Sequence, residues 1–421
     1  MKLIEELKAR GLIESLTSPD IEAALEKPMT LYCGFDPSAR SLQAGNLVSM
    51  IVLKRFQAAG HKIIALVGGA TGLIGDPSGK SAERNMQTVE QVAENKKGIK
   101  ENLSRVLDFD GPNPAILVDN YDWYKGISAI EFLRDIAINF RVPQMLAKES
   151  VKKRLEASSG ALTFTEFSYQ ILQGNDFLHL YDNFGCQMEI GGADQWGNIT
   201  AGTDLVHRMR GQTAYGLTFP LLLDSTGRKF GKSEGNALFL DASLTSVYDW
   251  YQYFLRSADE DVIRYLKVFS MKSLEEIAEL EAQMKLHPEA RIPQKALAEE
   301  LTLLIHGQEG LAAAQGATKT LFGGDVSSRS AEELETIFKD VKSATLKSEE
   351  ILGQPVYLVA AKAGMFPSNG DARRMTRQGG LSLNGEKVTE TRVFEQKDLI
   401  DNRVAVLRQG KKNNFLLKVQ I

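Results

Sequence analysis

Two lysines enclose a glycine in the run KFGKS at residues 229–233. Gly231 gives this segment mobility, and Lys229 and Lys232 are three positions apart, so both ammonium groups can close on one anion. Such a cationic loop suits a polyphosphate whose negative charge increases during a reaction, and it indicates ATP chemistry without a Walker loop. Taken alone, a pentamer of this composition is also typical of a solvated turn.

A glycine-rich run, GGATGLIGDPSGK at residues 68–80, directly follows a predicted strand. From Gly69 onward it matches the dinucleotide-binding turn of short-chain dehydrogenases, and Tyr121 and Lys125 supply the Tyr-x-x-x-Lys pair of that class. The spacing argues against a dehydrogenase, because the pair follows after only about 50 residues and no acidic residue closes the next strand at the usual distance. A turn with a purely structural role is the other alternative.

The same run could bring a carboxylate and two cations to a bound ligand. Asp76 stands at the end of the turn, with Lys80 and Arg84 beyond it. Because Lys80 and Arg84 are four positions apart, they would share one face of a helix and could grip pyrophosphate. Charges on a solvated helix are the alternative interpretation.

A polar stripe within an apolar helix is predicted for TFTEFSYQILQGNDF at residues 163–177. Tyr169, Gln173 and Asp176 are spaced at i, i+4 and i+7, which places a phenol, an amide and a carboxylate on one helical face. Core-facing stripes are normally apolar, so this stripe suggests a small polar ligand such as a zwitterion. An exposed helix face would give the same pattern.

A second glycine turn lies in EIGGADQWGN at residues 189–198. Gly191 and Gly192 end a predicted strand and permit close approach of the backbone to a ligand. Asp194 and Gln195 follow them, and these side chains suit ribose hydroxyls and a carboxylate. The mixture of residue types is difficult to explain by packing alone.

These motifs are connected by alternating strand and helix patterns. TLYCGF and HKIIALV are predicted strands, and SLQAGNLVSMIVLKRFQAAG between them has the apolar spacing of a helix. AILVDN, CQMEIGG and TFPLLLD predict further strands. The alternation predicts an α/β fold with a parallel sheet, in which ligands bind at the carboxyl ends of the strands.

The chain divides into four predicted segments. Residues 1–228 form the α/β domain with a helical insertion, and residues 229–325 carry the KFGKS loop and a separate helical domain. Residues 326–350 are polar and indicate a linker, and residues 351–421 form a small domain in which Asn384-Gly385 predicts a hairpin. From residue 371 onward there are 11 Lys or Arg against 6 Asp or Glu, which favours a polyanionic partner.

Composition narrows the class of protein further. The 421 residues carry a formal net charge of -4, which excludes a uniformly basic nucleic-acid coat. Cys33 and Cys186 are the only cysteines, so there is no disulfide framework, and neither has neighbours at zinc-site spacing. We therefore expect no protein-ligated metal and a reducing, cytoplasmic environment. The amphipathic N-terminus does not have the pattern of a signal peptide, and no apolar run is long enough to span a membrane.

Five runs occur together in an order that resembles the bacterial tyrosyl-tRNA synthetases, which are class I aminoacyl-tRNA ligases. They are YCGFDPS, VGGATGLIGDPSGK, FTEFSYQILQG, IGGADQWGNIT and KFGKSEGN, and the resemblance extends over nearly the whole chain. It implies a Rossmann-like catalytic domain, an all-α anticodon-side domain, an S4-like RNA-binding α+β domain and a homodimer. It also implies L-tyrosine, ATP with Mg²⁺, and tRNA(Tyr) as substrates.

The resemblance assigns roles to individual residues. For tyrosine, it places Tyr32 and Asp176 at the phenol, Asp76, Tyr169 and Gln173 at the ammonium group, and Gln195 at the carboxylate. For ATP, it indicates Gly34, Asp36, Gly45, Asn46, Gly192, Asp194 and Lys232. For the departing pyrophosphate, it indicates Ser38, Gln43, Lys80, Arg84, Lys229 and Lys232. The tyrosine carboxylate would attack the α-phosphorus of ATP without a general base, and the tRNA would then accept the tyrosyl group.

Two positions depart from the family pattern. Residues 43–46 read Gln-Ala-Gly-Asn, where the first class I signature has His-hydrophobic-Gly-His or His-hydrophobic-Gly-Asn. Gln43 can donate one hydrogen bond but cannot become cationic, and loss of one transition-state donor typically costs about 10² to 10³ in rate. Glu189 stands where many relatives carry Gln. A slower natural synthetase, an altered variant and a noncatalytic paralogue that binds tyrosine or RNA are the open alternatives, and the intact lysine loop favours the first two.

Overall fold

The computed structural model describes residues 2–78, 86–156, 162–233, 236–321, 326, 329–339, 341–410 and 413–420. Lys80 and Arg84 therefore lie outside the described residues, as does the side chain of Lys232. The chain forms two compact units, the first comprising Met1–Thr245 with Gln252–Ile305 and the second comprising Ser246–Tyr251 with His306–Ile421.

The first unit contains a six-stranded sheet that is parallel except for one edge strand. Its strands are β1 (Ser15–Leu16), β2 (Thr30–Phe35), β3 (Lys62–Val67), β4 (Ile116–Asp119), β5 (Cys186–Gly192) and β6 (Tyr215–Phe219). They are arranged in the order β1-β6-β5-β2-β3-β4, and only β1 pairs antiparallel. In β3, every residue after Lys62 is buried, as expected for a central strand covered on both faces. The predicted parallel α/β sheet is confirmed.

Helices cover this sheet and connect its strands. They are α1 (Leu3–Ala9), α2 (Ile21–Ala24), α3 (Leu47–Ala58), α4 (Thr71–Ile74), α5 (Val89–Ser104), α6 (Tyr121–Tyr124), α7 (Ala129–Glu131), α8 (Val142–Leu146), α9 (Glu149–Glu156), α10 (Phe164–Phe184) and α11 (Trp196–Arg210). A π-helical turn (Phe132–Ile136) follows α7, and a short hairpin pairs β7 (Lys232–Ser233) with β8 (Asn236–Ala237). The predicted strand TFPLLLD is shorter than expected, because β6 ends before Pro220, which lacks a backbone N–H.

The helical segment after KFGKS does not form a unit of its own. It contains α12 (Val247–Leu255), α13 (Asp259–Phe269), α14 (Leu274–Leu286) and α15 (Ile292–Leu321), and its residues divide between the two units. Helix α15 is interrupted at Gly307, whose φ of 70° is not helical. Buried Arg10 joins α1 to the end of α13, since its guanidinium donates to the carbonyls of Lys267 and Lys272. Periodicity shows that each helix has an apolar face but not which neighbour covers it.

The second unit contains a five-stranded sheet in the order β11-β10-β12-β13-β9. Its elements are α16 (Ala331–Ile337), β9 (Ser343–Lys347), α17 (Val356–Lys362), α18 (Asn369–Arg377), β10 (Leu381–Leu383), β11 (Glu386–Lys387), β12 (Val404–Gln409) and β13 (Asn413–Gln420). The predicted hairpin is confirmed, because Asn384 (φ 49°) and Gly385 (φ 92°) connect β10 and β11 through two residues of positive φ.

The segment 326–350 differs from the predicted linker. It contains α16 and β9, and β9 pairs in parallel with β13. The alternation of exposed and half-buried residues along β9 explains the difference, because an edge strand with few buried side chains has the composition of a connecting segment. Within the described ranges, every helix is too short or too polar for a membrane span.

Candidate active site

Helix α10 carries the polar stripe and is fixed at both ends. At its beginning, the Thr163 Oγ1 accepts from the Glu166 N–H at 3.2 Å in a capping box. The Glu166 carboxylate also accepts from the Arg154 guanidinium at 2.8 Å, and both side chains are buried. At its end, Gly185 adopts φ 63°, a left-handed conformation that favours glycine. The stripe is therefore held in a defined position relative to the sheet.

Asp176 occupies the deepest position of the stripe. Its Oδ2 accepts from Asn120 Nδ2 and its Oδ1 from Trp123 Nε1, both at 2.9 Å. Burial raises the pKa of Asp176 to about 7, although these two donors act in the opposite direction. Tyr32, on β2, packs its ring edge-on against Phe177 with centroids 5.3 Å apart. A buried carboxyl and a buried phenol thus lie near each other, and the charge of Asp176 contributes, after burial, to the raised pKa of Tyr32.

The Tyr32 hydroxyl is buried and makes no hydrogen bond to any described residue. Burial, followed by the negative charges of Glu189 and Asp176, raises its pKa well above the usual range. A buried hydroxyl without a partner is destabilising, at about 1–3 kcal/mol. This donor is therefore available to a ligand that enters the pocket.

Two carboxylates approach the stripe from the loops after β2 and β3. The Tyr169 hydroxyl donates to Asp36 Oδ2 at 2.7 Å, and the Thr71 hydroxyl donates to Asp36 Oδ1 at 2.7 Å. Asp76 Oδ2 accepts from Gln195 Nε2 at 2.7 Å. Burial, reinforced by Asp36, raises the pKa of Tyr169 well above its usual range. Tyr169 is thus a neutral donor at physiological pH.

A chain of amides connects these groups. Asn198 Nδ2 donates to Gln173 Oε1 at 2.9 Å and to Gln195 Oε1 at 3.2 Å. Gln173 Nε2 donates in turn to Glu189 Oε1 at 2.8 Å, and Gln195 Nε2 to Asp76. Because Gln173 and Gln195 each have both the amide oxygen and the amide nitrogen engaged, the orientation of both side chains is determined. The oxygens and N–H groups thus form one network lining the predicted amino-acid site.

The first signature and the lysine loop lie against each other. Gln43 is half-buried and precedes a single 3₁₀ turn, and its N–H donates to Asn46 Oδ1 at 3.0 Å. Gly231 has φ 79°, and a Cβ built there would lie 3.2 Å from Ala44 Cβ and from the Gly45 nitrogen. Glycine at 231 therefore allows the two loops to touch, which brings Gln43 and the KFGKS backbone to one side of the site.

Asp194 follows β5, and its carboxyl is influenced by the carboxylate of Asp76 and the ammonium group of Lys229. Burial, followed by the charge of Asp76, raises its pKa, whereas Lys229 lowers it. Lys229 itself is exposed. A Cβ at Gly192 would lie 2.7 Å from Asp194 Oδ1, so a side chain at position 192 would displace the Asp194 carboxylate. The cation of the loop is thus close enough to act on Asp194 electrostatically.

Most predicted site residues lie where a parallel sheet places its ligands. Asp36 follows β2, Asp76 lies in the turn after β3, and Asp194 follows β5. Gly34 and Ser38 are exposed at the same edge, as are Gly45 and Asn46. Within the residues that the structure describes, no group of three or more His, Cys, Asp or Glu could hold a metal ion.

Four residues that contact the predicted site were missed by the sequence-based prediction. They are Thr71, Asn120, Trp123 and Asn198, each of which is hydrogen-bonded to a predicted site side chain. Asn120 carried a usable signal, because it directly follows β4 and the carboxyl ends of parallel strands share one edge. Nothing in the local pattern indicates that the Trp123 indole reaches Asp176.

The two family models that match this chain cover most of its length. The model for tRNA synthetases class I (W and Y) matches residues 24–323, and the model for the tyrosine–tRNA ligase SYY-like C-terminal domain matches residues 333–417.

Full-length relatives agree with these models. The chain is 48% identical over 427 residues to a tyrosine–tRNA ligase of Desulfitobacterium hafniense, with 100% of each chain covered. It is 46% identical over 423 residues to the tyrosine–tRNA ligase of Bacillus caldotenax, covering 99% of this chain and 100% of that protein. Among solved structures, it is similar to a C-terminally truncated mitochondrial tyrosyl-tRNA synthetase of Aspergillus nidulans, with a TM-score of 0.69 and 29% identity over 76% of this chain and 94% of the other. The chain therefore belongs to the tyrosine–tRNA ligases of the class I tRNA synthetase family.

Proposed function

We propose that this chain activates L-tyrosine with ATP to form tyrosyl-adenylate and pyrophosphate, and then transfers the tyrosyl group to the 3′-terminal adenosine of tRNA(Tyr). The observation that carries the proposal is the buried pair of Tyr32 and Asp176, with a free donor on one side and a carboxyl acceptor on the other. A substrate phenol satisfies both. Phenylalanine leaves the Tyr32 hydroxyl without a partner, which makes its binding less favourable.

The rest of the amino acid would lie along the network described above. Its ammonium group would bind Asp76, Tyr169 and Gln173, and its carboxylate would bind Gln195. In the free protein, Asp76 and Gln195 are hydrogen-bonded to each other. Tyrosine would replace that single bond by charge-assisted bonds to both partners, which are stronger than neutral ones.

The activation step would be driven by positioning and by stabilisation of charge. The tyrosine carboxylate attacks the α-phosphorus in line, and pyrophosphate leaves with no general base required. Lys229, Gln43 and Ser38 would stabilise the departing phosphates. Further proposed partners are Lys80 and Arg84, which lie outside the described residues, and Lys232, of which only the backbone is described. The nucleotide would be held by Gly34, Asp36, Gly45, Asn46, Gly192 and Asp194, and we expect Mg²⁺ to enter bound to ATP.

Substitution of the phenol-binding pair tests this proposal. Tyr32→Phe removes one neutral hydrogen bond, so kcat/KM for tyrosine in ATP–pyrophosphate exchange should fall roughly 10-fold, while that for phenylalanine should hardly change. Tyr181→Phe, a tyrosine on α10 outside the network, is the matched control. Equal losses for tyrosine and phenylalanine would show that Tyr32 does not recognise the phenol.

A noncatalytic paralogue that binds tyrosine or RNA is the second candidate. The observation that favours it is Gln43, which replaces a signature histidine with a side chain that cannot carry a positive charge. Both candidates bind tyrosine, and only a ligase exchanges pyrophosphate into ATP. Exchange at the level of a no-tyrosine blank, in a preparation that binds tyrosine, would support the paralogue.

We propose that the second unit binds tRNA. Arg373, Arg374 and Arg377 are exposed on α18, and Arg373 and Arg377 share the single carboxylate of Glu390. Arg374 pairs with Asp371, so the three guanidinium groups face two carboxylates. This excess of positive charge on an exposed helix suits a phosphate backbone. Substitution of Arg373 and Arg377 by Ala should lower kcat/KM for tRNA charging. ATP–pyrophosphate exchange should remain at the wild-type level, and exposed Lys97→Ala serves as the control.

We further propose a cytoplasmic homodimer. Several apolar side chains are exposed in the segment from α7 to the start of α10, and Ile130 (69% exposed), Ile138 (62%) and Phe164 (72%) are the most exposed of them. An apolar surface of this kind is typical of a protein interface. Phe164→Asp should convert a dimer to a monomer in sedimentation, whereas Leu286→Asp, equally exposed elsewhere at 74%, should not. A monomeric wild-type protein would contradict this proposal.

A further inference from the structure

Glu189 is a buried acid beside the predicted phenol site. It lies on β5 directly opposite Tyr32 on β2, so the two side chains project from the same face of the sheet. Its exposed fraction is 2%, and its Oε1 accepts from Gln173 Nε2 at 2.8 Å. Its Oε2 and the Tyr32 hydroxyl are both buried without a hydrogen-bond partner among the described residues. Two unsatisfied oxygens thus lie side by side in one pocket.

After burial, the charge of Glu189 raises the pKa of Tyr32, as expected for paired neighbours on adjacent strands, and neither the Tyr32 hydroxyl nor the Glu189 Oε2 has a hydrogen-bond partner among the described residues. The free pocket therefore leaves this interaction incomplete. Because an unsatisfied buried oxygen is unfavourable, both atoms have reason to reorient when a third polar group arrives.

The surroundings of Glu189 contain acids and no cation. Strand β2 contributes Tyr32 and Cys33, its own strand contributes Cys186, and α10 contributes Asp176. The neighbours from α11 and β6 are glycines 202 and 216, which carry no charge. Burial raises the pKa of Glu189 to about 8, and among the described residues the charged group that shifts this pKa is the acid Asp176 and no cation contributes.

We propose that Glu189 is a specificity-determining residue of the tyrosine pocket, acting as a neutral acid that donates its Oε2 proton to the Tyr32 oxygen. The Tyr32 hydroxyl then donates a hydrogen bond to the oxygen of the substrate phenol, and the phenol hydroxyl donates a hydrogen bond to the Asp176 carboxyl. Every oxygen in this sequence is satisfied, and no covalent bond changes. The inference rests on the proposed function, because it requires the phenol to lie between Tyr32 and Asp176.

Ionisation of Glu189 reverses the direction of this sequence. A carboxylate only accepts hydrogen bonds, so the Tyr32 proton turns toward Glu189 and away from the ligand. Bound tyrosine then loses the hydrogen bond from the Tyr32 hydroxyl to its phenol oxygen, whereas phenylalanine has no phenol oxygen and loses nothing. Affinity for tyrosine should fall with rising pH, and the preference for tyrosine over phenylalanine should fall with it. A residue with a merely structural role would not change that preference.

The test compares the wild-type protein with Glu189→Gln between pH 6.5 and 9. The glutamine amide can donate to Tyr32 and accept from Gln173 at every pH, so it preserves the direction of the hydrogen bonds. The dissociation constants of tyrosine and phenylalanine are measured by calorimetry, and each is normalised to its value at pH 7. For a group that titrates near pH 8, the wild-type affinity for tyrosine should fall about 10-fold from pH 7 to pH 9 relative to the variant.

The outcomes distinguish the role of Glu189 from the proposed binding of tyrosine. A steeper decline in the wild-type protein, together with a loss of tyrosine preference absent from Glu189→Gln, supports the role of Glu189. Parallel profiles for the two proteins overturn that role while leaving the phenol site intact. Failure of both proteins to bind tyrosine at pH 6.5 overturns the proposed function itself, and with it the inference. Circular dichroism of the variant at each pH verifies that the fold is retained.

Discussion

The contact between Gly231 and the first signature leads to a prediction with an internal control. Gly231 has φ 79°, and a methyl group there would lie 3.2 Å from Ala44 Cβ and the Gly45 nitrogen. Gly227 has nearly the same conformation, with φ 81°, but a methyl group there would meet nothing within 4 Å. Substitution of each by Ala therefore imposes the same backbone strain, and only Gly231→Ala also disturbs the contact between the two loops.

The expected losses in exchange rate follow from the backbone strain and from the disturbed contact between the loops. A non-glycine residue in the left-handed region costs about 1–2 kcal/mol, and both variants share this cost. In Gly231→Ala, the neighbours must additionally shift by a few tenths of an ångström, which displaces the loop that carries Lys229. If that displacement removes about 1.4 kcal/mol of transition-state stabilisation, the rate falls 10-fold. We expect a loss of about 10-fold or more for Gly231→Ala and less than 3-fold for Gly227→Ala.

The assay is tyrosine-dependent ATP–pyrophosphate exchange, with tyrosine binding measured in parallel. Gly231→Ala should lower kcat and leave the dissociation constant of tyrosine unchanged, because the amino-acid network does not include the lysine loop. Equal exchange rates for the two variants would refute the reasoning, since the contact with Ala44 and Gly45 would then have no catalytic consequence.

Three further predictions concern activity and stability. Gln43→His should raise the exchange rate strongly, by about 10-fold to 100-fold, because it restores a more rigid donor that can be cationic; an unchanged rate would show that position 43 is unimportant. Arg154→Met should lower the free energy of unfolding by about 3–5 kcal/mol in urea titrations, since it leaves the buried Glu166 carboxylate unpaired, and adding Glu166→Gln should recover part of the loss. The pKa of Glu189 rises from 4.5 to about 8 on folding and that of Asp176 from 3.8 to about 7, so the folded chain holds protons that the unfolded chain has released. The free energy of unfolding should therefore fall as pH rises from about 5 to 8, less steeply in Glu189→Gln, and identical slopes would contradict the assigned burial effect.

The sequence was sufficient to predict the sheet and the location of the site. Strand and helix periodicities identified β2, α3 and β3, and the glycine turns after the strands marked the carboxyl edge at which Asp76 and Asp194 lie. The stripe of Tyr169, Gln173 and Asp176 was correctly placed on one helix, because the helical period alone determines which residues share a face.

Other features depend on contacts between distant segments. The roles of Asn120 and Trp123 follow from how α6 and β4 pack beside α10, some 50 residues later in the chain. The strand in residues 326–350 was not predicted, because it forms by pairing with β13, which lies more than 65 residues later in the chain. The dehydrogenase alternative is excluded by the family to which the chain belongs, although its glycine spacing was locally acceptable.

The burial of Glu189 was also not visible in the sequence. An acidic residue in a strand next to two glycines is usually expected at the surface, and only the register with Tyr32 places it inside the pocket. Its neutral state follows from that position and from the absence of a described cation within salt-bridge distance.

The central claim is that this chain activates tyrosine despite Gln43. The most direct measurement is tyrosine-dependent exchange of labelled pyrophosphate into ATP by the full-length wild-type protein, with phenylalanine as the comparison. We expect exchange well above the blank with tyrosine, and far less with phenylalanine at the same concentration. Tyrosine binding without exchange would contradict it and would identify the chain as a protein that recognises tyrosine without forming the adenylate.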